Sequence, residues 1–171
     1  PRTDSGVKTA AHAQGYTQGI SWEENQNRDT FSVSLADARD AQKRDFVALA
    51  GLLRVLASVC TERFKGRLLN IHPSLLPRHR GFHTHRTALV AKDSEHGASV
   101  HFVTAELDGG PVVIQGRTLV RSDDTEASLA GRVMNDIELK IYPQTLAWLA
   151  RGDLIWREAG IEFRGKKLAH P

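Results

Sequence analysis

Of 171 residues, only one is cysteine and only one is methionine. A single thiol excludes an internal disulfide, and Cys60, set inside an apolar run, reads as a buried thiol rather than a nucleophile. A reducing, cytoplasmic setting fits. The chain also lacks any stretch of about 18 uninterrupted apolar residues, because Arg54 breaks the best run, and nothing at the N-terminus has the pattern of a signal peptide. No membrane association is expected. There is no Lys/Arg-rich block and no basic stretch interleaved with aromatics, so a net charge of +3 suits a small anionic substrate as readily as nucleic acid, and no nucleic-acid partner is expected. Paired cysteines and an HExxH pattern are absent. His72, His83, His85, His96 and His101 fall close together, and His83-Thr84-His85 could present two imidazoles on one side of a strand, yet no spacing typical of a zinc site occurs and no metal is expected.

The composition that remains, 40% hydrophobic and 25% charged, is that of one soluble domain over 1–171 with a sizeable core. The pattern predicts a short helix over 3–14, a weak strand over 16–20 and a helix near 29–43. A continuous apolar run over 45–51 reads as a strand buried on both faces, central in a parallel sheet. A helix over 57–64 ends at Gly66, and 67–71 reads as a short strand stopped by prolines. A helix over 87–92 follows, then a turn at His96-Gly97. The strand over 99–103 carries His101 as a satisfied core residue, and the strand over 112–120 pairs with it as an antiparallel edge ribbon. Thr125 or Asp124 caps a helix that runs to about residue 151 and stops at Gly152. Residues 154–156 and 161–163 form a terminal hairpin, and 165–171 a loose tail. The alternation predicts an α/β fold, a doubly wound, mostly parallel Rossmann-like sheet with an antiparallel edge.

The chemistry concentrates at the end of the strand over 67–71. Asn70 and His72 are two apart, so in extended backbone they share a face, and such strand ends are where open α/β sheets carry ligands. Asp108, with Gly109 and Gly110 behind it, follows the strand over 99–103. A carboxylate beside an imidazole fixes the ring and favours its charged form, while a carboxamide donates to an oxyanion as a carbonyl becomes tetrahedral. That is an inventory for acyl transfer. On spacing alone the ordinary reading comes first: Asn before a turn makes local hydrogen bonds, and Asp-Gly-Gly is a turn.

The blocks Gly66-Arg67-Leu68-Leu69-Asn70-Ile71-His72-Pro73-Ser74-Leu75-Leu76-Pro77, Gly81-Phe82-His83-Thr84-His85, Glu95-His96-Gly97-Ala98-Ser99-Val100-His101-Phe102-Val103 and Leu107-Asp108-Gly109-Gly110-Pro111 resemble those of folate-dependent phosphoribosylglycinamide formyltransferases. Looser forms of the first and last blocks belong to methionyl-tRNA formyltransferase and formyltetrahydrofolate deformylase. The resemblance implies formyl transfer from 10-formyltetrahydrofolate, as co-substrate, to the amine of glycinamide ribonucleotide in purine synthesis, by a monomer or homodimer. It implies a catalytic trio of Asn70, His72 and Asp108. It implies a folate cleft lined by Leu53, Arg54, Val55 and Leu56 and by Val103, Thr104, Ala105, Glu106 and Leu107. The ribonucleotide would meet Ile71, Pro73 and Glu138, and the Leu76–Pro77 peptide would be cis.

Two departures accompany the resemblance. Leu139 stands where the family usually has histidine, and the segment between Arg132 and Pro143 is one residue longer. The family also opens with a strand, a Gly/Ser/Asn-rich turn and a helix whose N-terminus binds the ribose phosphate, and no such stretch precedes Asp45. With Pro1 in place of an initiator methionine, the chain is expected to be N-terminally incomplete. A formyltetrahydrofolate hydrolase, another relative, or a non-catalytic folate-binding fragment remain the alternatives.

Overall fold

The computed structural model describes residues 46–49 and 58–169. The helices expected over 3–14 and 29–43, the strand over 16–20 and the cleft residues Leu53, Arg54, Val55 and Leu56 lie outside the described residues. A four-stranded sheet has the order β1 (Val47–Leu49), β2 (Leu68–His72), β3 (Glu95–Phe102), β4 (Val112–Leu119). Helix α1 (Ser58–Arg63) leads from β1 towards β2, and those two strands are parallel, Leu49 opposite Asn70. Every residue of β2 is buried, which matches its apolar sequence and its place inside the sheet.

The α/β class holds, as a mixed sheet whose antiparallel part is wider than an edge ribbon. Strand β3 runs antiparallel to β2 as well as to β4, with Asn70 opposite His101 and His72 opposite Ser99. The connection from β2 therefore returns at the end of the sheet where it left. It holds only the seven-residue helix α2 (Thr84–Val90), about 10 Å long at 1.5 Å per residue. The consequence is that residues 73–94 are folded over the end of β2 that bears His72.

Helix α2 starts three residues earlier than expected, with His83 as its N-terminal flanking residue and His85 inside it, so neither lies in a strand. The expected turn at His96-Gly97 is instead part of β3. The glycine is required there by close approach: a Cβ on Gly97 would lie 1.9 Å from the Gly116 carbonyl oxygen of β4. Gly116 is in turn covered on its other side by Ile137, whose Cγ2 would be 2.2 Å from an added Cβ, so the helical layer rests directly on the strand.

That layer is a single bent rod. Helix α3 (Glu126–Val133) is capped by Thr125, whose hydroxyl accepts from the Ser128 N–H at 3.1 Å while the Ser128 hydroxyl accepts from the Thr125 N–H at 2.9 Å. It passes through a π segment (Met134–Glu138) into α4 (Leu139–Ala150), which contains Pro143 and stops at Gly152 in the left-handed region. A π segment is how a helix absorbs one extra residue, which fits the longer spacing before Pro143. Arg132 bridges this layer to the sheet, pairing with Asp124 and donating to the Leu119 carbonyl at 3.0 Å. Hydrogen bonding from Arg132 holds the Asp124 carboxyl well below the usual carboxylate range.

The core joins Leu69, Ile71, Val100, Phe102 and Val113 of the sheet to Leu129, Val133, Ile137, Tyr142 and Leu146 of the helical layer. The Tyr142 hydroxyl donates to the Leu49 carbonyl at 2.6 Å and lies 3.2 Å from that of Leu69, so it ties the helix to both parallel strands. The terminal hairpin is present as β5 (Leu154–Arg157) and β6 (Gly160–Phe163). The tail expected to be loose over 165–171 pairs instead through β7 (Lys166–Lys167), because the Leu168 N–H donates to the Ile161 carbonyl at 2.8 Å and Leu168 packs against the core.

Replacing Tyr142 by Phe leaves a buried carbonyl without its donor, and the expected loss is about 1–3 kcal/mol in unfolding free energy. Urea titration of both proteins checks this; equal midpoints would remove the hydroxyl from the account.

Candidate active site

Two strands and two loops converge at the end of β2. Asn70 and His72 project from one face of β2, as residues two apart in a strand do, and both are buried. Register then puts His101 of β3 opposite Asn70, next to a shift in the β3–β4 ladder between Val100 and His101. Bulges of this kind re-aim a side chain. Asp108 follows in a left-handed conformation, φ 47°.

The carboxylate of Asp108 joins the cluster. Its Oδ2 accepts from the Gly81 N–H at 2.9 Å and lies 3.4 Å from His72 Nδ1, while Oδ1 lies 3.6 Å from His101 Nε2. The other ring nitrogen of His72, Nε2, is 3.0 Å from the His79 carbonyl oxygen. Both nitrogens of His72 thus face acceptors, an arrangement that satisfies two N–H groups.

His101 has a tautomer fixed by chemistry. Its Nδ1 is 2.9 Å from the Phe102 carbonyl oxygen, which can only accept, so the proton is on Nδ1. Burial pushes the pKa of His101 down, and the neutral ring presents a lone pair on Nε2. The Asn70 Nδ2–H donates to that lone pair at 3.3 Å. This fixes which way the carboxamide points, with Oδ1 buried and accepting no hydrogen bond from the described residues.

The loop after His72 is held by a buried hydroxyl. Ser99 Oγ donates to the Ser74 carbonyl at 2.6 Å and accepts from the Leu76 N–H at 3.0 Å and from Gln115 Nε2 at 2.9 Å. The Leu76–Pro77 peptide in this loop is cis.

The structure thus brings Asn70, His72 and Asp108 together. Ile71 points away from them into the core, and Pro73 is half-buried at the strand end. Val103 is tied to β2 by its N–H to the Leu68 carbonyl at 3.0 Å, and beyond it Thr104, Ala105, Glu106 and Leu107 form the loop into Asp108, with Leu107 exposed. Glu106 pairs with Arg80, which links this loop to the one over 77–81. Glu138 is buried on a different element, the π segment. Sequence reasoning left His101 as a core residue. Antiparallel pairing of its strand with β2 was the missing signal, since that alone sets it across from Asn70. Among the described residues, no group of three or more His, Cys, Asp or Glu is arranged to hold a metal ion. No helix among them is long and apolar enough to cross a membrane.

A family model described as formyl transferase matches residues 1–146. The chain is 44% identical over 142 residues to the phosphoribosylglycinamide formyltransferase of Escherichia coli K12, covering 83% of this chain and 66% of that protein. It is 39% identical over 124 residues to the enzyme of the same name from Haemophilus influenzae, covering 72% and 58%. This chain thus spans roughly three-fifths to two-thirds of the length of these curated relatives. The solved phosphoribosylglycinamide formyltransferase of Coxiella burnetii superposes with a TM-score of 0.81 at 40% identity, over 98% of this chain and 79% of that one.

Behind the loop over 77–81 lies a second histidine group. His85 Nδ1 and His96 Nε2 are 3.0 Å apart and both side chains are buried. Burial, with the His79 charge adding to it, pushes His96 from its ordinary 6.5 down to about 4. Between those values the unfolded chain binds a proton at this residue that the folded chain does not, so the contribution to stability is complete above 6.5 and declines as pH falls towards 4. Thermal melting followed from pH 7 to pH 4.5 should show a steeper fall for the wild type than for His96→Gln. Parallel curves would mean that His96 does not resist protonation.

Proposed function

This chain belongs to the formyl transferase family, and from that premise we propose that it transfers the formyl group of 10-formyltetrahydrofolate to the amine of glycinamide ribonucleotide. The observation that carries the reading is the 3.4 Å approach of His72 Nδ1 to Asp108 Oδ2 beside the Asn70 carboxamide. The amine lone pair attacks the formyl carbon, and the carbonyl electron pair moves onto oxygen. Asn70, through its second Nδ2–H, and His72, as a positive charge held between Asp108 and the His79 carbonyl, stabilise that oxyanion. Asp108 orients the ring and helps pass the proton lost by the attacking amine towards the folate nitrogen, whose bond to the formyl carbon breaks.

The loop Val103 to Leu107 binds the folate, and Leu53, Arg54, Val55 and Leu56, which lie outside the described residues, are the other folate-binding residues of this reading. The ribonucleotide is met by Ile71 and Pro73 through their backbone and by Glu138. The single, buried Cys60 and the small-molecule substrates suit a cytoplasmic enzyme.

The direct test is consumption of 10-formyltetrahydrofolate with and without glycinamide ribonucleotide. Consumption that depends on the ribonucleotide supports the transferase, whereas consumption in its absence assigns a hydrolase. Asp108→Asn should lower kcat by roughly 10²–10⁴ with folate affinity little changed, the usual worth of positioned acid–base catalysis. Asn70→Ala should cost on the order of 10²–10³ in kcat if the carboxamide donates to the oxyanion. A near-wild-type rate in either variant removes that residue from the mechanism.

A further inference from the structure

The His72 ring depends on two acceptors, and only one of them is a side chain. The second is the His79 carbonyl, 3.0 Å from Nε2. A carbonyl can only accept, so this contact keeps a proton on Nε2 and leaves Nδ1 to Asp108. That carbonyl is presented by a residue in the left-handed region, φ 51°, a conformation uncommon outside glycine although less so for histidine than for bulkier residues. Two residues on, the Gly81 N–H of the same loop donates to Asp108 Oδ2 at 2.9 Å. One loop therefore supplies an acceptor to His72 and a donor to its carboxylate partner.

Something must hold this loop, because Pro77, Arg78 and Arg80 are exposed. The His79 ring does so: its Nε2 lies 2.6 Å from Asp93 Oδ2, and Arg78 takes the other oxygen. The Asp93 side chain is only 5% exposed and His79's 13%, so this pair is screened far less than a surface one. Asp93 is itself fixed, its N–H donating to the Ala88 carbonyl of α2 at 3.0 Å, after Lys92 in a left-handed turn. The hydrogen bond from His79 holds the Asp93 carboxyl below its ordinary value.

We propose that the partly buried His79–Asp93 pair is a positioning element for the reaction centre, clamping the loop over 77–81 so that the His79 carbonyl and the Gly81 N–H fix His72 and Asp108 in register. Neither residue touches the reacting atoms. The kinetic part of this proposal rests on the formyl-transfer reading; the structural part concerns the His72 proton and stands apart from it.

The test uses His79→Ala and Asp93→Ala, each removing one end of the clamp, and His79→Gln, whose side-chain amide reaches about as far as the imidazole Nε2 and restores a donor to Asp93. The first readout is the slowly exchanging Nε2–H proton of His72 in NMR spectra, assigned by its absence in His72→Gln. It is expected in the wild type and in His79→Gln, and lost in both alanine variants. The second is formyl transfer: kcat is expected to fall about tenfold to a hundredfold in the alanine variants, the scale of a misplaced catalytic group, with KM for both substrates within twofold and partial recovery in His79→Gln. An Nε2–H resonance that survives in both alanine variants overturns the proposal, as does an unchanged kcat, or a loss of kcat equally severe in His79→Gln. If the wild type transfers no formyl group, the proposed function fails while the His72 resonance still decides the clamp, its loss in both alanine variants supporting it.

Discussion

The antiparallel register of β3 on β2 is the constraint on which the site depends. It sets His101 across from Asn70 and His72 across from Ser99. It also forces the chain leaving β2 to return at the same end of the sheet, folding 73–94 over His72, while the chain leaving β3 exits beside Leu68 at the start of β2 and has to loop back before Asp108 meets His72. A parallel crossover would have carried the connection to the opposite end of β2 and left Asn70 and His72 without their partners.

Within that frame, each polar group is oriented by a partner that can play only one part in a hydrogen bond. The Phe102 carbonyl fixes the proton of His101, whose lone pair then fixes Asn70. The His79 carbonyl and the Asp108 carboxylate bracket His72, and the Gly81 N–H holds Asp108. Buried polar groups are costly unless satisfied, and among the described residues nothing donates to the carboxamide oxygen of Asn70.

Stability and site geometry share the same residues. Tyr142 locks the helical layer to the carbonyls of β1 and β2, and Gly97 and Gly116 let β3, β4 and the π segment stack without intervening side chains. The same π segment takes up an extra residue ahead of Pro143 and carries Glu138 inward. The helix that covers the sheet is therefore also the element that aims a buried carboxylate.

Local pattern by itself determined a good deal. Period-two spacing put Asn70 and His72 on one face, apolar runs marked β1 and β2, the Thr125 cap and Gly152 bracketed the long helical rod, and the four quoted blocks carried the family resemblance. Those are properties of neighbouring residues, governed by backbone periodicity and capping, and they survive in one dimension. What only the tertiary structure decided was direction and distance: that β3 runs antiparallel to β2, that His96-Gly97 is strand rather than turn, that His83 and His85 open a helix, and that His101 and the His79 carbonyl complete the site. Each of these turns on hydrogen bonds or steric approach between segments far apart in sequence, such as Gly97 against Gly116 or His79 against Asp93, and nothing in the order of neighbouring residues encodes which distant backbone will lie alongside.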